Sequence, residues 1–95
     1  MIFVKLHQLV KDSNENYYLS EVHVNVSHIM FISENSEMTK SLKEGKINIG
    51  LNTSAKFSDV LLSSSGKGSQ KIVVVGDPNT IESKINKSNK TLLRG

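Results

Sequence analysis

Three histidines are the side chains of this 95-residue sequence most able to ligate a transition metal, because cysteine is absent. If His7 and His23 lie on paired strands, they share one face of a sheet, and His28 is close by in the sequence. A three-histidine metal site is therefore geometrically possible. No carboxylate or second histidine stands at the helical i,i+4 spacing that would strengthen it, so we predict surface or partly buried histidines and no metal or other cofactor.

Two glycine-containing segments have the composition of a phosphate-binding loop. The segment Ser65–Ser69 reads Ser-Gly-Lys-Gly-Ser, but a P-loop needs Ser or Thr directly after Gly-Lys and another glycine where Leu61 stands. Residues 75–78, Val-Gly-Asp-Pro, lead from a strand into a helix. There Asp77 would place negative charge where a phosphate would bind. We interpret the first segment as a hairpin tip and the second as a helix cap.

Catalytic chemistry finds little support in the residue pattern. The chain has many serines, but none stands in a nucleophile-elbow context, and the missing cysteines exclude a thiolate nucleophile. Any two of the nine acids could form a catalytic pair, but nothing in the sequence selects one pair. The expectation is a protein that is not an enzyme.

Charge is distributed unevenly, although the net charge is only +3. Residues 1–39 contain two lysines and five acids, for −3, whereas residues 40–95 contain ten Lys or Arg and four acids, for +6. A basic half can bind a polyanion by counterion release, or it can be a solvated surface that aids solubility. The candidate nucleic-acid contacts are Lys56, Lys67, Lys71, Lys84, Lys87, Lys90 and Arg94.

Aromatic side chains that could stack on bases are few. We expect the phenylalanines to lie in the core, which leaves Tyr17 and Tyr18 for stacking. Both tyrosines lie in the acidic half of the chain, away from the candidate cationic residues, which weakens a nucleic-acid interpretation.

The location predicted from the sequence is cytoplasmic, and the host cytoplasm if the gene belongs to a phage. No segment approaches the roughly 20 apolar residues that cross a bilayer, so no membrane partner is expected. The N-terminus lacks the pattern of a signal peptide, and the absence of cysteine fits a reducing compartment.

Alternating apolar residues predict strands over residues 2–10 and from about Tyr17 to Val24. The run Ile29–Ile32 is apolar at every position, which predicts a central third strand. A polar segment over residues 11–16 should turn the chain between the first two strands. The first three strands should then form a meander.

The second half of the chain mixes helix and strand signals. Residues 33–45 predict a two-turn helix, with Asn35 or Ser36 as N-cap and Gly45 at its C-terminal end. Residues 46–55 fit a short edge strand or an ordered loop equally well. Residues 57–63 and 70–76 predict a hairpin, and a helix capped by Asp77 should follow and fade near Asn86.

Together these elements predict a mainly β (α+β) fold: a small bent antiparallel sheet, or open barrel, of about five strands with a mid-chain helix and a C-terminal helix. We expect a single domain over residues 1–87 and a basic flexible tail over residues 88–95.

Three stretches resemble the FlbD-like small β-proteins of flagellar operons and similar short accessory proteins of tailed phages. They are Met1–Leu6, then Val24–Val26 with Ile29, Ile32 and Glu34, and finally Val75–Pro78 with Ile81 and Ile85. The resemblance covers about half the chain and consists of structural positions, so it implies a fold more than a function. The chain departs from the pattern by inserting residues 35–55 and by its basic tail. Its Asn-, Lys-, Ser- and Ile-rich composition also resembles that of AT-rich phage genomes.

The function expected from all this is a non-enzymatic, phage-encoded accessory module that binds protein. Self-association is expected, through an edge strand such as the first or the fourth pairing across a two-fold axis. The alternative is a nucleic-acid-binding protein that uses the basic half. A second alternative is a small-ligand-binding oligomer or an enzyme, with its pocket between subunits.

Overall fold

A computed structural model describes residues 2–64 and 68–94, and the side chains as far as residue 88. Five antiparallel strands form one open sheet in the order β2-β1-β5-β4-β3, and two helices pack against it. The mainly β (α+β) prediction is therefore confirmed. The strands are β1 (Phe3–Lys11), β2 (Tyr17–Asn25), β3 (Ile29–Glu34), β4 (Phe57–Ser64) and β5 (Gly68–Val75); the helices are α1 (Ser36–Lys43) and α2 (Pro78–Arg94).

Strands β1 and β2 form a regular hairpin in which nine consecutive residue pairs run from Phe3–Asn25 to Lys11–Tyr17. The predicted polar turn closes it. The Asp12 carboxylate accepts hydrogen bonds from the backbone N–H groups of Asn14 (2.8 Å) and Asn16 (2.9 Å). An aspartate that holds the backbone a few residues ahead in this way is a common turn device, which explains why the sequence predicts the loop well.

Strand β3 departs from the prediction. Only a single 3₁₀ turn, Val26–His28, separates it from β2, yet β3 pairs with β4 at the opposite edge of the sheet. The predicted meander of three strands and the predicted central position of the third strand are therefore wrong. A β-bulge between Ile29 and Phe31 shifts the alternation of side chains, so Ile29 and Ile32 pack on the core while Met30 and Phe31 are exposed.

Each face of the sheet carries its own hydrophobic cluster. On the α2 face, Ile81 is fully buried among strand residues, and Ile85 packs against the same cluster. The spacing of these two isoleucines by four residues places both on one side of the helix, as predicted. The buried strand residues of this face are Val4, Leu6, Val24, Val60, Ile72 and Val74.

The α1 face is covered over part of its area by α1 and by the chain that follows it. Leu42 of α1 and Ile47 are buried against Leu9 and Phe57 of the sheet. The predicted cap is present, since the Asn35 side-chain oxygen accepts from the Met38 backbone N–H at 2.9 Å. Residues 46–55 form a loop, not a strand, and their alternating apolar side chains supply cover for the sheet.

The predicted hairpin over residues 57–63 and 70–76 is confirmed, with a slightly longer β4 and an earlier start of β5. Helix α2 starts at Pro78 as predicted but continues to Arg94, beyond the predicted end near Asn86. The division into a domain over residues 1–87 and a flexible tail over residues 88–95 stays a prediction. In that segment the backbone is helical as far as Arg94.

Gly76 joins the sheet to α2 in a backbone conformation that suits glycine, with φ at +117°. The fully buried Ser58 hydroxyl donates to the Gly76 carbonyl at 2.7 Å, and the Gly76 N–H donates to the Lys56 carbonyl at 2.7 Å. A Cβ at position 76 would lie 3.2 Å from the Ile81 Cδ1 atom. The turn thus brings α2 close enough to bury Ile81.

Replacement of Gly76 by alanine tests this junction. We expect Gly76→Ala to lower the free energy of unfolding by about 2 kcal/mol or more, because the new Cβ meets both the unfavourable φ and the Ile81 side chain. Gly50→Ala is the matched control, since Gly50 has a φ of +76° but open space around it, and it should cost only about 1 kcal/mol. Urea denaturation measures both, and equal losses would contradict the close contact.

Asp77 caps α2, since its side-chain oxygen accepts from the Thr80 backbone N–H at 2.8 Å. Hydrogen bonds from the Thr80 side chain and backbone, together with the charge of Lys56, hold the pKa of the Asp77 carboxyl below its ordinary value, although desolvation works in the opposite direction. A carboxyl whose pKa is lower in the folded state stabilises the fold above its unfolded pKa and loses that contribution on acidification.

We therefore expect the stability difference between wild type and Asp77→Asn to shrink as the pH falls below the ordinary aspartate pKa of about 3.9. Asparagine keeps a capping oxygen and removes the titration, so the comparison isolates the charge. Urea unfolding at a series of pH values measures this difference. A difference that is constant from neutral to acid pH would contradict a lowered pKa.

Candidate functional site

Strand β2 lies at one edge of the sheet, and in the described part of the chain it pairs only with β1. Its ladder with β1 contains no bulge over nine residues. At every second residue of β2, the backbone N–H and C=O groups therefore point away from β1, toward the free side of the strand. An edge of this length and regularity is a template for pairing with a further strand.

A groove of about 600 Å³ runs beside the last four residues of β2, Val22–Asn25. Its other side is formed by the ends of β4 and β5, including Leu62, Ser63 and Gln70. Both the odd and the even residues of this β2 segment line the groove, together with Phe3 and Gln8 of β1, so the groove spans this part of the hairpin and includes the edge strand. We call it the β2 groove.

The described lining of the β2 groove is apolar or neutral. The apolar surface comes from Phe3, Val22, Val24, Leu62 and Ile72, and neutral polar side chains accompany them. No lysine, arginine, aspartate or glutamate is among these described lining residues, and His23 and His28 are the titratable ones. A lining of this kind favours an apolar or uncharged occupant.

The predicted histidine trio is only partly brought together. His7 and His23 lie on the α1 face of the β1–β2 hairpin, where the Glu21 carboxylate is 4.0 Å from one imidazole and 3.9 Å from the other. The Lys5 ammonium is 3.6 Å from the same carboxylate. His28 lies apart, on the 3₁₀ turn beside the β2 groove.

These side chains around Glu21 are all about half exposed, so the pairs contribute little to stability. Within residues 2–64 and 68–88, no group of three or more histidine or acidic side chains is placed to hold a metal ion. The cluster does place a carboxylate, Glu21, and an imidazole, His23, two positions apart on the same face of β2.

The predicted nucleic-acid contacts fall on several elements. Lys56 lies in the loop before β4, Lys71 lies on β5, and Lys84 and Lys87 lie on α2. Lys67 is outside the described residues, as are the side chains of Lys90 and Arg94, whose backbone belongs to α2. Of the four lysines with described side chains, only Lys71 lies on the sheet.

The sequence did not predict three exposed apolar residues. Phe3, Met30 and Phe31 are 50%, 58% and 55% exposed, although the phenylalanines were expected in the core. Only Phe57 meets that expectation, being fully buried. Phe31 lies directly opposite Leu61, and Leu61 lies opposite Lys71, so these residues form a row across three strands. The bulge that exposes Phe31 has no sequence signal of its own.

The tyrosines differ from each other. Tyr18 is about half exposed, as a stacking residue would need to be. Tyr17 is partly buried against the α1-face cluster, and the Lys11 ammonium lies 5.6 Å from the centre of its ring. That contact is a cation–π pair within the β1–β2 hairpin, so Tyr17 already has a structural role.

Comparison of the chain with protein-family models, curated proteins and solved structures finds no match. The resemblance to FlbD-like and phage accessory proteins therefore stays a prediction. Among the described residues, no helix combines the length and the apolar character needed to span a membrane. The candidate site accordingly depends on the geometry of this chain alone.

Proposed function

We propose that the protein is a non-enzymatic accessory module that binds an extended segment of protein along the free edge of β2. The observation that carries this proposal is the position of the β2 groove, which is lined by Val22–Asn25 of the edge strand β2 and by the ends of β4 and β5. The first or fourth strand, expected as the pairing edge, does not serve, because β1 and β4 each have neighbours on both sides.

Strand addition explains why this edge is suited to binding. An added strand forms main-chain hydrogen bonds with the edge, while its alternate side chains enter pockets on one face of the sheet. Here Val22 and Val24 point to the α2 face, where Leu62 and Ile72 also line the groove. A segment with apolar residues at alternate positions therefore fits best.

The other free edge is less suited to pairing. Strand β3 has six residues and carries a bulge between Ile29 and Phe31. Short edge strands and bulges both discourage edge-to-edge association. The two edges of the sheet thus differ, and β2 is the one whose geometry permits a regular added strand.

A cytoplasmic location and a phage origin belong to the same proposal. The cysteine-free composition supports the first, and the resemblance to phage accessory proteins supports the second. Both concern where the module would meet its protein partner, and neither changes the binding surface.

Peptide selection tests the binding mode. We expect random hexapeptides displayed on phage and selected on the wild-type protein to bind at the β2 groove, and to slow hydrogen exchange at the β2 amides that do not pair with β1. Ser64→Trp, which adds bulk at the groove wall, should weaken the selected peptides about tenfold or more, a cost of about 1.4 kcal/mol.

Ser13→Trp is the matched control for this experiment, because Ser13 is exposed in the β1–β2 turn, outside the described groove lining. It should leave the affinity unchanged. Selected peptides that bind both variants equally well, or that protect amides elsewhere, would refute strand addition at β2.

Nucleic-acid binding is a second candidate, favoured by the row Phe31–Leu61–Lys71. An exposed aromatic ring near a cation on a sheet surface is how many β-proteins hold single strands. Phe31 supplies the ring, Lys71 the charge, and the half-buried Leu61 lies between them.

For this candidate we expect fluorescence anisotropy to show salt-dependent binding of a labelled oligothymidine. Phe31→Ala and Lys71→Glu should each weaken that binding about tenfold, because a stacked base contributes about 1–3 kcal/mol and the phosphate contact adds to it. Tyr18→Ala, which removes an aromatic ring of similar exposure, should have no effect. No binding at low salt would dismiss the candidate.

A further inference from the structure

We infer that the segment bound along β2 is the β2 strand of a second copy of this chain, paired antiparallel about a two-fold axis at Val22. This inference rests on the proposed function and names its partner. It follows from the order of charged and apolar residues along β2 when two copies of the strand are aligned antiparallel.

In the register centred on Val22, each Glu21 lies directly opposite His23 of the second copy. The pairing occurs twice, once on each side of the axis, because a two-fold interface repeats every contact. The imidazole can donate a hydrogen bond to the carboxylate, and opposite-polarity pairs across strands are stabilising. In this register the Glu21 and His23 side chains of one β2 strand are thus complementary to those of the second.

Neighbouring registers lose this complementarity. A pairing centred on Glu21 sets two carboxylates directly opposite each other, which is destabilising. A pairing centred on Ser20 sets Glu21 against Leu19, and one centred on His23 sets two imidazoles opposite each other. The His23-centred register also sets Glu21 opposite the neutral amide of Asn25. Among these registers, only the Val22-centred one sets Glu21 opposite a histidine.

The groove fits this register as well. The four β2 residues along the groove, Val22–Asn25, lie opposite Leu19–Val22 of the second copy. On the α2 face Val22 meets its own copy and Val24 meets Ser20, which are neutral contacts, and the one acidic residue that approaches the groove, Glu21, lies opposite His23 of the lining. This agrees with the absence of charged residues among the groove's described lining apart from histidine.

The charged pairs lie on the other face of the strand, beside Lys5. Its ammonium is 3.6 Å from the Glu21 carboxylate within one chain. In the dimer each carboxylate therefore lies between a lysine of its own chain and an imidazole of the second copy. The carboxylate thus gains a further donor beside Lys5, His7 and His23 of its own chain.

Disulfide trapping tests the register, because the chain contains no cysteine that could interfere. Directly opposite residues of paired strands have Cβ atoms about 4.5–5.5 Å apart, close to the spacing of a disulfide. We expect Val22→Cys to form a covalent dimer under mild oxidation of the dilute protein. Ser20→Cys should stay monomeric on a denaturing gel, because the two sulfurs would be about 13 Å apart along the strands.

Charge reversal supplies a second test that leaves Val22 in place. His23→Glu sets carboxylates opposite each other at two places, so sedimentation equilibrium should show association weakened about tenfold or more. Adding Glu21→His to that variant restores both pairs with the residues exchanged. Position 23 lies opposite Lys5 within the chain, so the exchanged glutamate also keeps a lysine neighbour. The double variant should associate within about threefold of the wild type.

The outcomes separate this inference from the proposed function. A wild-type protein that is monomeric at every concentration, or a Ser20→Cys protein that crosslinks while Val22→Cys does not, overturns the inference. If selected peptides still protect the free edge of β2, the protein-binding function stands with another partner. If neither a dimer nor a peptide engages β2, both fail together.

Discussion

The connection between β2 and β3 is the constraint on which the rest of the structure depends. In a flat five-stranded sheet the two edges would lie about 19 Å apart, because neighbouring strands are about 4.8 Å from each other. Here the three residues Val26–His28 join those edges, and a 3₁₀ turn rises only about 2 Å per residue. The sheet must therefore curl, and the two edges approach each other without pairing in the described structure. The gap between them leaves the edge of β2 open, and the groove lies beside that edge.

A curled sheet of this size can support a hydrophobic cluster on each face because the two helices cover different faces. The buried residues of β1 show the arrangement: Val4 and Leu6 face α2, while Leu9 faces α1 and its following loop. Gly76 permits α2 to turn back tightly onto the sheet, and the Asn35 cap fixes where α1 begins. Since α1 and its loop leave part of their face uncovered, Phe31 and the Glu21 cluster remain at the surface.

The two edges of the sheet differ in how readily they can pair with a strand from another molecule. Strand β3 is short and bulged, which are features that discourage pairing, whereas β2 is long and regular. This difference is why we propose the edge of β2, and not that of β3, as the binding surface. In the proposed dimer the position of Glu21 would limit the register, because a pairing centred on Glu21 sets two carboxylates opposite each other.

The sequence by itself determined the elements whose signals are local. The Asp12 turn, the Asn35 and Asp77 caps, the β4–β5 hairpin and the alternating β2 strand were predictable, because each depends on residues within a few positions of one another. The mainly β fold class followed from them.

Only the tertiary structure decided which strands pair and which apolar residues are buried. The run Ile29–Ile32 has the composition of a central strand, but the curl of the sheet places it at an edge. Residues 46–55 alternate like a strand, but they lie against the α1 face, where their apolar side chains cover the sheet. The open edge of β2 and its groove could not be predicted from the sequence for the same reason. Strand order depends on long-range contacts, and the residue types along β2 are the same whether its edge is paired or free.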